Sequence, residues 1–267
     1  LGRLFLEHYE SVRDVGLFTA GSSIAGMLLL ISTTTGTIFF PLFSKLASEN
    51  NTEKINHQIE LFERIILIFL APAVFVIATF STPLIVFLLG ERYELSGIVL
   101  KILLISALIQ VVTLPYGNLI AGKGLFKTLS VINVIQVIVF VLCLVFFLDP
   151  RFFDLGAVGL AWATAFANIF ISGCFVAVVL KKEKIEAFRK NLKYYLSTIL
   201  LSLILMLTTL SGFITGHLFI NVIFVAFIVL IYYLILFLIK WLTRDDVNII
   251  LDFINPRKLI SYIKSDL

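Results

Sequence analysis

The sequence predicts an all-α protein, a polytopic bundle of about seven membrane-spanning helices. Of its 267 residues, 60% are hydrophobic and only 14% are charged, and the mean hydropathy is +1.07. Soluble domains are nearer ~45–50% apolar, and a soluble core of this size cannot hide so much apolar surface. The hydrophobic residues also form separate runs close to the ~20 residues that a helix needs to cross a bilayer.

Seven such runs define the predicted spans along the chain. They are residues 16–43, 59–80, 98–121, 128–148, 155–180, 195–213 and 218–241. Pro72 in the second run is a kink that a membrane helix tolerates, and Pro83–Leu89 is expected either to finish that span or to re-enter the membrane. The opening segment GRLFLEHYE resembles the outgoing end of an earlier span, so we expect a fragment that lacks an N-terminal portion.

The basic residues predict the orientation in the membrane. Most of the 21 Lys and Arg residues lie in alternate connections and in the C-terminal tail. Positively charged loops stay on the cytoplasmic side, which predicts a multi-pass cell-membrane protein with its N-terminal end outside and its C-terminus in the cytoplasm. The net charge of +4 then reflects these loops, and we expect no nucleic-acid partner.

Two basic segments outside the spans carry apolar residues at helical spacing. They are the linker 181–194 and the tail 242–267. Both are typical of amphipathic helices that lie on anionic lipid at the membrane surface. The linker is equally compatible with a solvated cytoplasmic connection.

The first predicted span carries a polar stripe. At about 100° of rotation per residue, Ser22, Gly26, Thr33 and Thr37 fall on one face of the helix. A helix that contacts only lipid has no use for hydroxyl groups along one side. The stripe indicates either close helix packing through small residues or the wall of a polar cavity, and the pattern taken alone favours packing.

Polar groups inside other spans are further candidates for function. They are Gln110 and Asn118 in the third span, Asn133 and Gln136 in the fourth, and Asn168 in the fifth. Each can form an interhelical hydrogen bond worth about 0.6–2 kcal/mol or contact a substrate. No Asp, Glu, Lys, Arg or His occupies the middle of a predicted span, so a buried proton relay is not expected.

Arg3 and Glu7 lie four residues apart at the start of the chain and therefore on one helical face. This spacing fits an ordinary ion pair or an interfacial anchor. It also fits a cation, Arg3, that lines a vestibule and meets an anionic head group.

The sequence offers no chemistry of the kind enzymes use. No His/Cys set has metal spacing, no nucleophile has a partner base, and Gly122–Gly124 is too short for a nucleotide-binding loop. Cys143 and Cys174 lie within spans and are expected to behave as small hydrophobic residues. We therefore predict no catalytic residue, no metal and no cofactor.

Five short segments, taken in order, resemble a known family. They are VGLF at 15–18, FPLFS at 40–44, LGERY at 89–93, NLIAGKG at 118–124 and GAVGLAWAT at 156–164. Their order and spacing are similar to the C-terminal half of polysaccharide-type flippases in the multidrug/oligosaccharidyl-lipid/polysaccharide (MOP) exporter superfamily. Gly2 departs from the acidic residue that family members often carry there, which leaves no support for ion coupling at that position.

The resemblance implies half of a pseudo-symmetric fourteen-helix transporter. Residues 1–180 would form the second six-helix bundle and 195–241 two extra helices. It further implies translocation of lipid-linked oligosaccharide by alternating access, with the stripe of the first span as part of the cavity wall and Arg3 at its mouth. The implied partners are membrane lipids, the missing N-terminal half and polysaccharide assembly proteins.

Two other functions remain open from the sequence. One is an ion-coupled exporter of small molecules such as drugs, from the same superfamily. The other is an integral membrane enzyme that processes glycans. Such an enzyme needs a catalytic carboxylate, and Glu91 and Asp154 are poor candidates for one.

Overall fold

The computed structural model describes residues 2–9, 11–183, 185–210, 218–242 and 246, without the side chains of residues 3, 7–9, 31–35, 182, 183, 210, 218 and 219. These residues form helices and turns with no strand among them, which confirms the all-α fold class. The helices are α1 (Gly2–Tyr9), α2 (Val12–Ser48), α3 (Thr52–Ile65), α4 (Ala71–Thr79), α5 (Ser81–Leu89), α6 (Ser96–Gly122), α7 (Phe126–Leu148), α8 (Gly156–Glu183), α9 (Ala187–Lys190), α10 (Leu192–Leu210) and α11 (Leu218–Leu238).

Six helices within the described part of the chain are long and apolar enough to cross a membrane. They are Thr52–Thr79, Ser96–Gly122, Phe126–Leu148, Gly156–Lys181, Leu192–Thr209 and Ile220–Leu238. They correspond to the second through seventh predicted spans and make this a multi-pass membrane protein. The first predicted span, 16–43, is helical as part of α2, whose side chains at 31–35 are not described.

The chain divides into two compact units, residues 1–202 and 203–267. In the first unit α6 lies at the centre and packs against α2 on one side and α8 on another, while α7 packs along α8. Buried residues occur all around α6, as expected of a helix that is apolar on every face. The second unit contains the end of α10 and the apolar helix α11.

A close approach of backbones joins α2 to α6. A Cβ atom at Gly21 would lie 2.8 Å from the carbonyl oxygen of Ser96, so only glycine fits at this crossing. Ala25, one turn further along α2, is also buried. Small residues of the kind that bring membrane helices together therefore lie on the buried side of α2, at Gly21 and Ala25. They are not the residues of the predicted polar stripe.

A π-helical turn, Ile66–Leu70, connects α3 to α4 within one apolar helical stretch. The backbone N–H of Ala71 donates to the carbonyl oxygen of Ile66, a bond that spans five residues. Pro72 follows directly and has no N–H to continue the ladder, so the helix widens at this point. The kink expected at Pro72 is thus a π turn that precedes it.

Helix α4 ends at Phe80, and the chain continues directly into the separate helix α5. Gly90 ends α5 with a φ angle of +90°, and a short 3₁₀ turn, Glu91–Tyr93, leads to α6. Pro83–Leu89, predicted to finish a span or to re-enter, is therefore a helix of its own.

A buried core lies where α2, α3, α6 and α8 meet at the end that bears the basic linker. Its members are Phe39, Phe43, Leu46, Ile55, Ile59, Tyr116, Leu119, Ile120, Val179, Ile185 and Ala187. Ile185 and Ala187 belong to the linker 181–194, for which the sequence leaves open an amphipathic surface helix or a solvated connection. In the structure α8 ends at Glu183, α9 is a single turn and Ile185 is buried in the core, so the linker packs against the protein. The predicted tail helix, 242–267, lies outside the described residues apart from Leu242 and Asp246.

Candidate functional site: the open face of α2 and a buried carboxylate

The polar stripe of α2 faces away from the neighbouring helices that the structure describes. Ser22 and Gly26 are half-buried and Thr37 is exposed. A Cβ atom at Gly26 would meet nothing within 4 Å, in contrast to Gly21 on the packed face. The side chains of Arg3 and Thr33 lie outside the described part, so the geometry of the stripe rests on the other three residues.

The hydroxyl groups on this side of α2 are bonded within their own helix. Ser22 Oγ donates to the carbonyl oxygen of Thr19 at 3.2 Å, and Ser23 Oγ donates to the same oxygen at 2.8 Å. Thr19 Oγ1 donates to the carbonyl oxygen of Val15 at 2.7 Å. Each hydroxyl oxygen keeps acceptor capacity toward the open side, so the face can receive hydrogen bonds from a bound molecule.

An open cleft of about 770 Å³ adjoins this face of α2. It is lined by Val12, Val15, Gly16, Thr19, Ala20, Ser23, Ile24, Leu88, Leu89 and Tyr93. The first three turns of α2 thus form one wall, and the end of α5 with the 3₁₀ turn forms the other. The cleft is mainly apolar with three hydroxyl groups, and the predicted residues Ser22 and Gly26 lie beside it rather than in its lining.

The intramembrane amides separate into one bonded pair and three other residues. Gln110 Nε2 on α6 donates to Asn168 Oδ1 on α8 at 3.2 Å. Asn118 has a buried Nδ2 with no hydrogen-bond partner among the described residues, and its Oδ1 lies 3.9 Å from where a Cβ at Gly36 would be. Asn133 and Gln136 are half-buried on α7.

A buried carboxylate lies on α3, inside an apolar helical stretch. The Glu63 side chain is 0% exposed. Its Oε1 accepts hydrogen bonds from the hydroxyl groups of Tyr116 at 2.6 Å and Tyr195 at 2.9 Å. Its Oε2 accepts one from Nδ2 of Asn191 at 2.9 Å. These four residues, the Glu63 cluster, join α3 to α6, to the end of α9 and to the first turn of α10.

The linker that follows α8 is held along α3 by further contacts around this cluster. Asn191 Nδ2 also donates to the carbonyl oxygen of Glu60 at 2.9 Å, and the Glu186 backbone N–H donates to Asn56 Oδ1 at 3.0 Å. Lys190 Nζ lies 3.6 Å from a Glu60 carboxylate oxygen, a half-exposed pair of small energetic value. The polar contacts therefore fix both the linker and the start of α10 to α3.

Part of the chain matches a known protein family. Residues 3–97 match the family model for "Polysaccharide biosynthesis protein". The matched segment runs from α1 to the first turn of α6 and includes both the stripe of α2 and Glu63. It confirms the resemblance drawn from the sequence motifs. No curated protein matches the chain.

Within the matched segment, sequence reasoning missed Glu63. The apolar helical stretch begins at Thr52 rather than at the predicted Ile59. Glu63 therefore lies near the middle of the helix, whereas it lies near the start of the predicted span, where the expectation about span middles does not apply. A signal was available in the spacing: Ile55, Ile59 and Glu63 lie at i, i+4 and i+8 on one face of α3, and all three are almost fully buried. A glutamate on the apolar face of a helix predicts a buried, hydrogen-bonded carboxylate.

Gln110→Leu is expected to lower the free energy of unfolding by about 0.6–2 kcal/mol, because it removes a hydrogen bond between α6 and α8 where water is scarce. Asn168→Leu should cost a similar amount, and the double variant less than the sum of both. Unfolding in detergent micelles measures the three values. Gln136→Leu on α7 is the matched control, and little effect is expected from it. If the losses of unfolding free energy in the two single variants add up to the loss in the double variant, the two side chains do not pair.

Proposed function

We propose that this protein is a flippase that moves lipid-linked oligosaccharide across the cytoplasmic membrane for the synthesis of cell-surface polysaccharide or glycoconjugate. The family match over residues 3–97 carries the proposal. The helices long and apolar enough to cross a membrane support a transport role. Within the described residues no group of three or more His, Cys, Asp or Glu could hold a metal, and the proposal requires none.

The open face of α2 is the part of the structure that suits this task. A glycan offers many hydroxyl groups, and a membrane face that binds them needs hydrogen-bonding groups without a covering helix. Ser22, Gly26 and Thr37 lie on such a face, because α2 packs against α6 through its other side, at Gly21. We assign this face to the wall of a polar cavity, and we assign Arg3 to its mouth, where a cation can meet the phosphate groups of the carrier lipid.

Alternating access supplies the mechanism. In such transporters a site near the middle of the membrane is exposed to one side and then to the other as two helix bundles rock against each other. Here residues 1–180 act as one bundle, which rocks against a second bundle. The glycan crosses inside the polar cavity while the prenyl tail remains in lipid, so the charged phosphates and sugars never enter hydrocarbon. Polysaccharide assembly proteins would receive the product.

Deleting the gene from the cell that makes the protein tests the proposed function. The expected result is accumulation of lipid-linked oligosaccharide on the cytoplasmic leaflet and loss of surface glycan, both restored by the intact gene. Export of cationic dyes under a sodium gradient would instead assign the protein to drug export. Chemical alteration of radiolabelled lipid-linked sugar by the purified protein would assign it to glycan processing.

Single cysteines on α2 test the assignment of its open face. In a protein with Cys143→Ser and Cys174→Ser, Ser22→Cys, Gly26→Cys, Thr33→Cys and Thr37→Cys are expected to react with a water-soluble thiol reagent, because a polar cavity contains water. Ala25→Cys, on the packed face of the same helix and 4% exposed, is the matched control and should stay unlabelled. If all four stripe positions are as inert as Ala25→Cys, the face serves packing alone.

A further inference from the structure

Helix α7 leaves most of its surface uncovered by the described chain. Only 17% of its apolar window is buried, the smallest share among the candidate spans. From Val131 to the end of the helix the exposed residues are all apolar, and they include Val131, Val134, Ile135, Val137, Ile138 and Leu142. An apolar helix surface of this kind in a multi-pass membrane protein lies against lipid tails, since water would oppose its exposure.

Aromatic side chains gather where α7 ends and α8 begins. The Phe146 ring lies 5.6 Å from Phe152 and 4.9 Å from Phe153 between ring centres. Phe147 stacks on Phe166 at 5.8 Å, and Phe166 contacts Trp162 at the same distance. These six residues, the α7–α8 aromatic cluster, form a continuous surface in which Phe152 and Phe153 remain 59% and 54% exposed.

Backbone hydrogen bonds fix the turn that carries Phe152 and Phe153. The Leu155 N–H donates to the carbonyl oxygen of Phe147 at 3.0 Å, which closes the turn. Within it, the N–H of Phe152 donates to the carbonyl oxygen of Asp149 at 2.9 Å, and the N–H of Arg151 donates to Asp149 Oδ1 at 2.9 Å. The two exposed rings therefore project from a defined turn.

Charges in the same turn determine its depth. Asp149, Arg151 and Asp154 lie between the end of α7 at Leu148 and the start of α8 at Gly156. Such groups are costly inside hydrocarbon, so the turn lies at the level of the lipid head groups. The rings beside it then reach the boundary between head groups and acyl chains, where the apolar side chains of Phe152 and Phe153 can leave water while the charged turn remains in it.

We propose that the α7–α8 aromatic cluster is a lipid-binding surface that anchors the α7–α8 pair at the membrane interface and sets its depth. The partner is the phospholipid boundary of the leaflet remote from Lys123 and Lys127, since α7 begins beside these residues and ends at the cluster. The lipid-facing surface of α7 is continuous with Phe146, which favours lipid over a glycan as the molecule that covers the rings. This inference does not depend on the proposed transport activity.

Tryptophan fluorescence in vesicles of phosphatidylcholine and phosphatidylglycerol tests the depth of the cluster. One protein carries Phe153→Trp with Trp162→Phe and Trp241→Phe, and another keeps Trp162 alone. Lipids brominated near the head group should quench Phe153→Trp most strongly, while lipids brominated further down the chain should quench Trp162, because it lies six residues into α8, or about 9 Å along the helix. Glu49→Trp, in the same Trp-free background and exposed in the α2–α3 loop, is the control that should escape both quenchers.

The anchoring role has a separate readout. With Trp162 as probe, the double change Phe152→Ser and Phe153→Ser should shift quenching toward the shallow bromines, because a purely polar turn moves outward. Phe152→Tyr with Phe153→Tyr, which keeps the rings, should preserve the original profile. The proposal fails if Phe153→Trp is quenched at neither depth, if the serine pair leaves the Trp162 profile unchanged, or if added oligosaccharide alone alters the Phe153→Trp emission.

Discussion

Glu63→Ala is expected to lower the free energy of unfolding by about 3 kcal/mol or more, because it leaves three buried donors without an acceptor and each such donor costs about 1–3 kcal/mol. The change would leave the hydroxyl groups of Tyr116 and Tyr195 and Nδ2 of Asn191 without the acceptor they share. Glu63 is 0% exposed, so bulk water does not reach the site to replace the carboxylate. The start of α10 should then separate from α3, and protease cleavage in the linker 185–191 should increase.

Two further variants provide comparisons for the stability of Glu63→Ala. Glu53→Ala lies on the exposed side of the same helix and should change stability by no more than about 0.5 kcal/mol. Glu63→Gln should fall between the two, because its amide oxygen can accept from both tyrosines while its amide nitrogen faces another donor, Asn191. Thermal unfolding in detergent, followed by circular dichroism, measures all three. Equal stability of Glu63→Ala and Glu53→Ala would show that the Glu63 cluster contributes nothing.

Gly97→Ala is the second large effect that we expect. A Cβ atom at Gly97 would lie 2.5 Å from both the Cα and the Oγ1 of Thr82. Rotating the Thr82 side chain cannot relieve a contact with its backbone, so α5 must move away from α6. Overpacking of this kind costs about 1–3 kcal/mol, and the altered position of α5 should also widen the cleft beside α2.

Gly173→Ala on α8 is the matched control for Gly97→Ala. Gly173 is exposed, and a Cβ atom there would meet nothing within 4 Å. Alanine should be neutral or should stabilise the helix by about 0.5–1 kcal/mol, since glycine loses more conformational entropy in a helix. A similar loss of stability in both variants, measured by unfolding in detergent, would contradict the packing explanation.

The long apolar helices could be predicted from the sequence to within a few residues. The expected spans 98–121, 128–148 and 155–180 became α6, α7 and α8, at Ser96–Gly122, Phe126–Leu148 and Gly156–Glu183. Prediction worked because helix is the structure that satisfies the backbone within one segment in lipid, so apolar length alone decides the element. The hydrogen bond between Gln110 and Asn168 also agrees with the expectation that intramembrane amides pair across helices.

The contacts of particular faces could not be predicted in the same way. Periodicity placed Ser22, Gly26 and Thr37 on one face, but it could not show that α6 packs against Gly21 instead. The same limit applies to the linker, where Ile185 fitted a surface helix equally well and is buried in a core formed by distant segments. The burial of Glu63 could be predicted from its place on the apolar face of α3, but its three donors could not, because they come from residues 116, 191 and 195, a combination that no local pattern contains.

The π turn at Ile66–Leu70 separates Glu63 from the apolar part of its span. An α-helix turns about 100° per residue, and the π turn, with a bond that spans five residues, holds one residue more than an α turn. Removing one residue here would let an α turn replace the π turn with both halves in register. Adding one residue would instead rotate the Glu63 cluster against the buried side of α4 by that angle, so the two could not both keep their neighbours. In this segment an insertion is therefore tolerated less well than a deletion or an apolar substitution.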